Sequence, residues 1–218
     1  MDKRNNPWLW IPTLYFAEGI PYFIVNTISV IMFTNMGMSK GDMAMYTSLL
    51  YLPWVIKPLW SPFVDIIRTK RWWVLSMQVI MSTAFALTAF SLPHPSAEVI
   101  ASGNTPVSLF ALTLALFWIT AFASATHDIA ADGFYMLALD TKDQSLFVGI
   151  RSTFYRFSSI FGQGVLVVIA GMLEQKFGDV PKAWSVTLVS GAVLFALITL
   201  WHTFRLPHPA SDSSRNTT

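Results

Sequence analysis

Residues 124–140 read SATHDIAADGFYMLALD, and the fold class turns on them. His127, Asp128 and Asp132 stand at the end of an apolar run that begins near Val107. Ionisable side chains at membrane depth are costly, and where they occur they face a protein interior or a water-filled path. Asp128 and Asp132 are four apart and share one face of a helix, while His127 is turned about 100° from Asp128.

Outward from this stretch the chain is almost wholly apolar. Of its 218 residues 54% are hydrophobic and 12% charged, against about 25% charged in soluble domains. Nine Trp and seventeen Phe suit lipid and headgroup levels. A net charge of +2 implies no nucleic-acid partner. The absence of Cys removes disulfides, thiolate metal sites and cysteine nucleophiles together. The first apolar run is long and carries Glu18 and Pro21, so it reads as a span and not as a cleaved leader.

Apolar length and breaker residues divide the chain into an N-terminal segment at 1–7, six spans within 8–204, and a polar tail at 205–218 that reads as disordered. The spans are expected at about 8–33, 44–64, 72–92, 107–139, 146–173 and 183–204. The second holds Pro53, Pro58 and Pro62, which membrane helices tolerate because neighbours satisfy the freed carbonyls. Six spans put both ends on one side. Lys3, Arg4, Arg68, Lys70, Arg71, Lys142, Arg205 and Arg215 fall on that side, against Lys40, Lys176 and Lys182 opposite. The positive-inside rule then makes both termini cytoplasmic.

Several polar groups lie inside these runs. Glu18 is about ten residues into the first span, or roughly 15 Å, deep enough to serve as a protonatable carboxyl in a cavity. Counting from an inner end near Leu146, Arg156 reaches the level of Asp128, and Arg151 lies nearer the surface with Asp132. An Arg156–Asp128 pair is therefore expected, each charge offsetting the other's desolvation. Lys57 reads equally as a pore residue or as an amine snorkelling to the interface. Gln163, between Gly162 and Gly164, marks close helix contact around a polar amide. Neighbouring His127 and Asp128 diverge on a helix, unlike the one-face HExxH arrangement, so no metal site is expected. No GxSxG is present to support a serine hydrolase.

The loop after the second span, with Asp65, Arg68, Lys70 and Arg71, resembles a degenerate form of the G-x-x-x-D-R-x-G-R-R signature of the major facilitator superfamily. Ser61 stands at its glycine. Three further segments narrow the likeness: EGIP at 18–21, KPLWSPFVD at 57–65 and SATHDIAADGF at 124–134. They resemble the AmpG-type permeases and the related acetyl-CoA transporter group. Lys57, Trp60, Ser61, Pro62, Asp65, Asp128, Ile129 and Asp132 match, whereas His127 replaces the usual Gln and Glu18 stands at a position commonly uncharged.

The resemblance implies an all-α polytopic membrane protein, the six-helix N-terminal half of a major facilitator fold, in a bacterial-type inner membrane. It implies alternating-access transport of a small organic solute, proton-coupled, with a cell-wall sugar-peptide or another amphiphilic organic anion as cargo. The partners would be the bilayer, the solute, protons and a second six-helix half, with no cofactor. Glu18, His127, Asp128, Asp132, Arg156 and Gln163 would line the substrate or proton pathway, and Asp65 would belong to a cytoplasmic latch. An intramembrane enzyme using Asp128 and Asp132 as an acid pair, and a non-transporting scaffold, stay open as alternatives.

Overall fold

The structure, a computed structural model, describes residues 6–213. The charges expected at Lys3, Arg4 and Arg215 lie outside the described residues. Among the described residues five helices are long and apolar enough to cross a membrane: α1 (Pro7–Asn35), α5 (Lys70–Ser91), α7 (Val107–Ala138), α8 (Thr141–Phe177) and α9 (Val180–Arg205). Shorter helices fill the gaps: α2 (Lys40–Leu50), α3 (Leu52–Ile56), α4 (Ser61–Ile67) and α6 (Ala97–Ser102). Among the described residues there is no strand, only an isolated bridge between Met38 and Thr105. The chain is thus an all-helical protein built to sit in a membrane.

The stretch expected as a second span is not one continuous helix. Pro53 and Pro62 stand in the first turns of α3 and α4, and Pro58 sits in a 3₁₀ turn over Lys57–Leu59 between them. Proline has no N–H to give an α-helical ladder, so each one restarts the winding. All three pieces nevertheless run along α7.

Helix starts follow their capping residues. Asp140 accepts the N–H of Asp143 at 2.8 Å, so α8 begins at Thr141. Asp179 caps α9 through the N–H of Lys182 at 3.0 Å. Thr69 caps α5 through the N–H of Trp72 at 3.2 Å. These side chains satisfy donors that the first turn leaves without intrahelical partners. At the far end of α1, Gly37 turns with φ 77° against the backbone of Ile100. A side chain there would be strained by its φ and would strike that backbone.

Helix α5 packs between α7 and α9, α1 packs on α8 and α7, and the second half of α8 packs on α9. The larger apolar core runs from Ala17 through Phe33, Phe85, Phe117 and Phe195. A smaller core of Trp10, Tyr15, Phe134 and Phe147 closes the other end. Two stretches wind as π-helix, Ile24–Ile28 in α1 and Phe161–Leu166 in α8, and they touch each other. Helix α8 is the least covered of the five, with 22% of its apolar window buried against 44–61% in the others.

Candidate functional site: a charged cluster between α1, α7 and α8

Glu18 sits about eleven residues into α1, Asp128 about ten from the end of α7, and Arg151 about ten into α8. At 1.5 Å per residue each lies roughly 15 Å from its helix end. Lys57 reaches Asp128 Oδ2 with its Nζ at 3.7 Å. Arg151 pairs through Nη2 with Asp132 Oδ1, which also accepts the Tyr15 hydroxyl at 3.2 Å. The Arg151 guanidinium lies 4.4 Å from the ring centre of Tyr15 and 4.9 Å from that of Tyr135. Such stacking adds cation–π attraction to the ion pair. Tyr135 in turn donates to the Gln144 carbonyl at 2.5 Å, tying the turn between α7 and α8.

Glu18, Arg151 and Arg156 share a cavity of about 340 Å³ with Tyr15, Ser152 and Tyr155. One oxygen of Glu18, Oε2, is buried there without a hydrogen-bond partner. Helix α1 comes very close to α8 beside it: a Cβ on Gly19 would lie 1.8 Å from Ser158 Oγ.

The expected Arg156–Asp128 pair is not formed. Lys57 takes Asp128 instead, and no carboxylate lies within 4.0 Å of Arg156 among the described residues. The cause is the start of α8. With Asp140 as cap the helix begins five residues before Leu146, which carries Arg156 to about 22 Å from the end. Arg151 then occupies the level at which Arg156 was expected. The five-residue step between the two arginines also turns them about 140° apart on the helix. Lys57 opens the 3₁₀ turn Lys57–Leu59 that breaks the helix between α3 and α4.

His127 is separated from this cluster. It is fully buried and turned toward α5 and α9, where Gln78 Nε2 lies 3.0 Å from its Nε2. Gln78 Oε1 accepts from His202 Nδ1 at 3.0 Å, and His202 Nε2 meets Thr13 Oγ1 at 2.9 Å. The chain of bonds joins four helices on the side away from the cavity, and no part of it touches Glu18 or Asp128. Gln163 is exposed and bonds along its own helix to Ser159 at 3.2 Å. It does not line the cavity.

The loop residues form a second polar cluster. Lys70 is buried and pairs with Asp65, its stem lying over Gly133, where a Cβ would meet Lys70 Cε at 2.8 Å. Arg68 stacks over Trp72 at 5.9 Å. Arg71 donates to the carbonyl of Thr203 at 2.8 Å. The tail, expected as disordered from Arg205 onward, folds back over this cluster. Asp212 accepts the N–H groups of Lys70 and Arg71 at 2.6 and 2.9 Å, and Ser211 donates to the Leu137 carbonyl at 2.9 Å. Two backbone donors at a helix start give the carboxylate a definite seat, which composition alone does not reveal.

Sequence reasoning also passed over Tyr15, Tyr135, Gln78 and His202. Tyr15 and Tyr135 lie three residues from Glu18 and Asp132, a spacing that shares a helix face. That spacing was the available signal. For Gln78 and His202 no local signal exists.

The fold and this cluster define a helical membrane protein with paired charges held between its helices. The chain matches no protein-family profile and no solved structure. It is similar to an uncharacterized protein of Schizosaccharomyces pombe, 28% identical over 149 residues, covering 66% of this chain and 27% of the relative. The chain therefore spans about a quarter of that relative's length.

Proposed function

We propose that this chain is one half of a secondary transporter of the major facilitator type, moving a small organic solute by alternating access. One observation carries the reading. An apolar helical body holds Glu18, Lys57, Asp128, Asp132 and Arg151 together, with Glu18, Asp128 and Arg151 each roughly 15 Å inside its helix end. Charges at such depth face a pathway or a protein interior and seldom serve lipid-facing surfaces.

The broken stretch over α2, α3 and α4 is a sixth, kinked span. Its three pieces follow the length of α7, and proline breaks of this kind are tolerated in membranes where neighbours cover the freed carbonyls. Both termini are then cytoplasmic, in a membrane of the bacterial inner type. A second six-helix half covers α8. That helix is the least buried and carries the exposed polar groups Ser152, Arg156 and Gln163, which lipid would not solvate. The greater length of the yeast relative leaves room for such a half.

The cargo is an organic anion, a cell-wall sugar-peptide by resemblance. Arg156 in the cavity, with no carboxylate within 4.0 Å among the described residues, supports a negative group on the solute. Proton coupling is assigned to Glu18, whose Oε2 is buried without a partner. The acid-pair enzyme reading finds less support, because Asp128 and Asp132 are each neutralised by a different cation.

The test is uptake of a labelled cell-wall sugar-peptide into proteoliposomes holding the intact two-half protein. Uptake is expected to collapse with a protonophore. Full uptake under that condition would sink the coupling.

A further inference from the structure

Beside the charged cluster stands an aromatic corner that the pairing of charges does not use. Tyr51, at the junction of α2 and α3, and Trp54 in α3 have rings 25° from parallel, with centroids 6.4 Å apart. Tyr22, four residues beyond Glu18 on α1, stands edge-on to both. Its ring lies 5.3 Å from that of Trp54 at 85°, and 6.3 Å from that of Tyr51 at 72°. Two rings thus make a floor and the third a wall. From Tyr22 the ring contacts continue through Phe23 to Tyr155 on α8, at 5.2 and 5.8 Å. Tyr155 lines the same cavity as Glu18.

The corner is open. Tyr51 is 45% exposed, and Tyr22, Trp54 and Tyr155 are half-buried. Trp54 keeps its Nε1 buried without a hydrogen-bond partner, so its side chain presents ring carbon outward and not its N–H. Exposed tyrosine and tryptophan in membrane proteins belong mainly to the headgroup levels. Tyr22 instead stands at the middle of α1 (Pro7–Asn35), where a belt residue has no place.

The polar groups at the corner are hydroxyls. Those of Tyr22 and Tyr51 interact, and Tyr155 lies within electrostatic reach of both and of Asp128 and Glu18. A phenol hydroxyl both donates and accepts. A carbon floor, a carbon wall and a set of hydroxyls match a saturated ring with an apolar C–H face and a hydroxylated rim. A cation fits less well, because the Lys57 ammonium, three residues from Trp54, already lies at Asp128 and would repel it.

Resting on the transport reading, we propose that Tyr22, Tyr51 and Trp54 seat a hydroxylated ring of the cargo, a pyranose. Glu18 and Tyr22 share one face of α1, which puts the ring's charged substituent about 6 Å along the helix, at the charged cluster. The corner selects the ring and the cluster selects the charge.

The intact protein in lipid nanodiscs is titrated with N-acetylmuramic acid, a pyranose bearing one carboxylate, and followed by saturation-transfer NMR. Saturation of the protein's aromatic protons is expected to reach the C–H protons of one face of the sugar. Trp54→Leu and Tyr51→Leu keep apolar volume but remove a ring, and each should weaken binding about three- to tenfold. Trp54→Phe and Tyr51→Phe keep a ring and should stay within about twofold of the parent. N-acetylglucosamine, which lacks the carboxylate, should show the same face contact at lower affinity.

Leu variants that bind as the parent does would overturn the seat, as would Phe variants that lose as much as the Leu ones. Displacement of the sugar by tetramethylammonium at a lower concentration than by N-acetylglucosamine would give the corner to a cation and overturn it likewise. Absence of saturation transfer to either sugar in the parent overturns it whether or not the variants fold. If the same protein then takes up a labelled acyclic peptide anion into proteoliposomes, the transport reading stands without the seat. Sugar held at the corner with no uptake of either solute would instead fail the transport reading and leave the seat.

Discussion

Gly19 and Ser158 bring α1 and α8 closer than any side chain on Gly19 would allow: a Cβ there would stand 1.8 Å from the serine Oγ and 2.9 Å from its Cβ. Gly19→Ala is expected to push the helices apart and to destabilise by about 1–3 kcal/mol, as overpacked cores do. Ser158→Ala leaves the Cβ in place and should not relieve it. Ser158→Gly in the Gly19→Ala background should recover much of the loss. Thermal unfolding of the four proteins in one detergent checks this, and equal stability of Gly19→Ala and the parent would contradict the close contact.

Lys57 and Asp128 join the turn between α3 and α4 to α7, about ten residues before the end of that helix. In a double-mutant cycle of Lys57→Met and Asp128→Leu, the single changes should each cost more than half of the pair. Contacting groups of this kind show a coupling energy of about 0.5–3 kcal/mol. The double variant is expected to fold, because stability needs charge balance. Additive single effects in a denaturation series would refute the pairing.

Gln78 spends both ends of its amide on two buried imidazoles, His127 and His202. Gln78→Leu leaves those nitrogens without partners, and such losses run at about 1–3 kcal/mol per buried polar group. Uptake per folded molecule should hold near the parent level, since the bonded chain lies away from the cavity. A selective loss of uptake at unchanged melting temperature would reverse that assignment.

Asp212 closes the start of α5 from a distance of more than a hundred residues in sequence. Asp212→Ala should cost about 0.5–2 kcal/mol, the range for loss of an N-terminal cap. Asp212→Asn keeps an acceptor and should cost less. Protease sensitivity after Leu206 is expected to rise in step with the loss of stability, and unchanged cleavage would show that the carboxylate does not hold the tail.

The membrane character of this chain and the deep placement of its charges could be read directly, because apolar length and charge depth are local properties. Partner choice could not. The pairing of Arg151, and not Arg156, with α7 depended on where α8 starts, and that was decided by Asp140 acting as a cap. The departure of His127 from the cavity depended on Gln78 and His202, residues on two other helices with nothing local to announce them. The break of the second span was visible as three prolines, but their effect on the aim of Lys57 required the turn itself. Asp212 stands in a polar tail whose composition suits disorder, and only the bare N–H groups of α5 give it a seat.

The two π-helical stretches, Ile24–Ile28 and Phe161–Leu166, tie the lengths of α1 and α8 to each other. A π turn takes up an extra residue relative to the α-helix around it. Deleting one residue from the α1 stretch would rewind it as α-helix and rotate Glu18 and Gly19 by about 100° against Ser29–Asn35. The same deletion in α8 would swing Arg151 and Ser158 with respect to its other half. Neither helix can therefore change its residue count alone without unseating the partner. Insertions and deletions in this region should be inherited as matched pairs, and a lone one should be repaired by a second in the opposite helix.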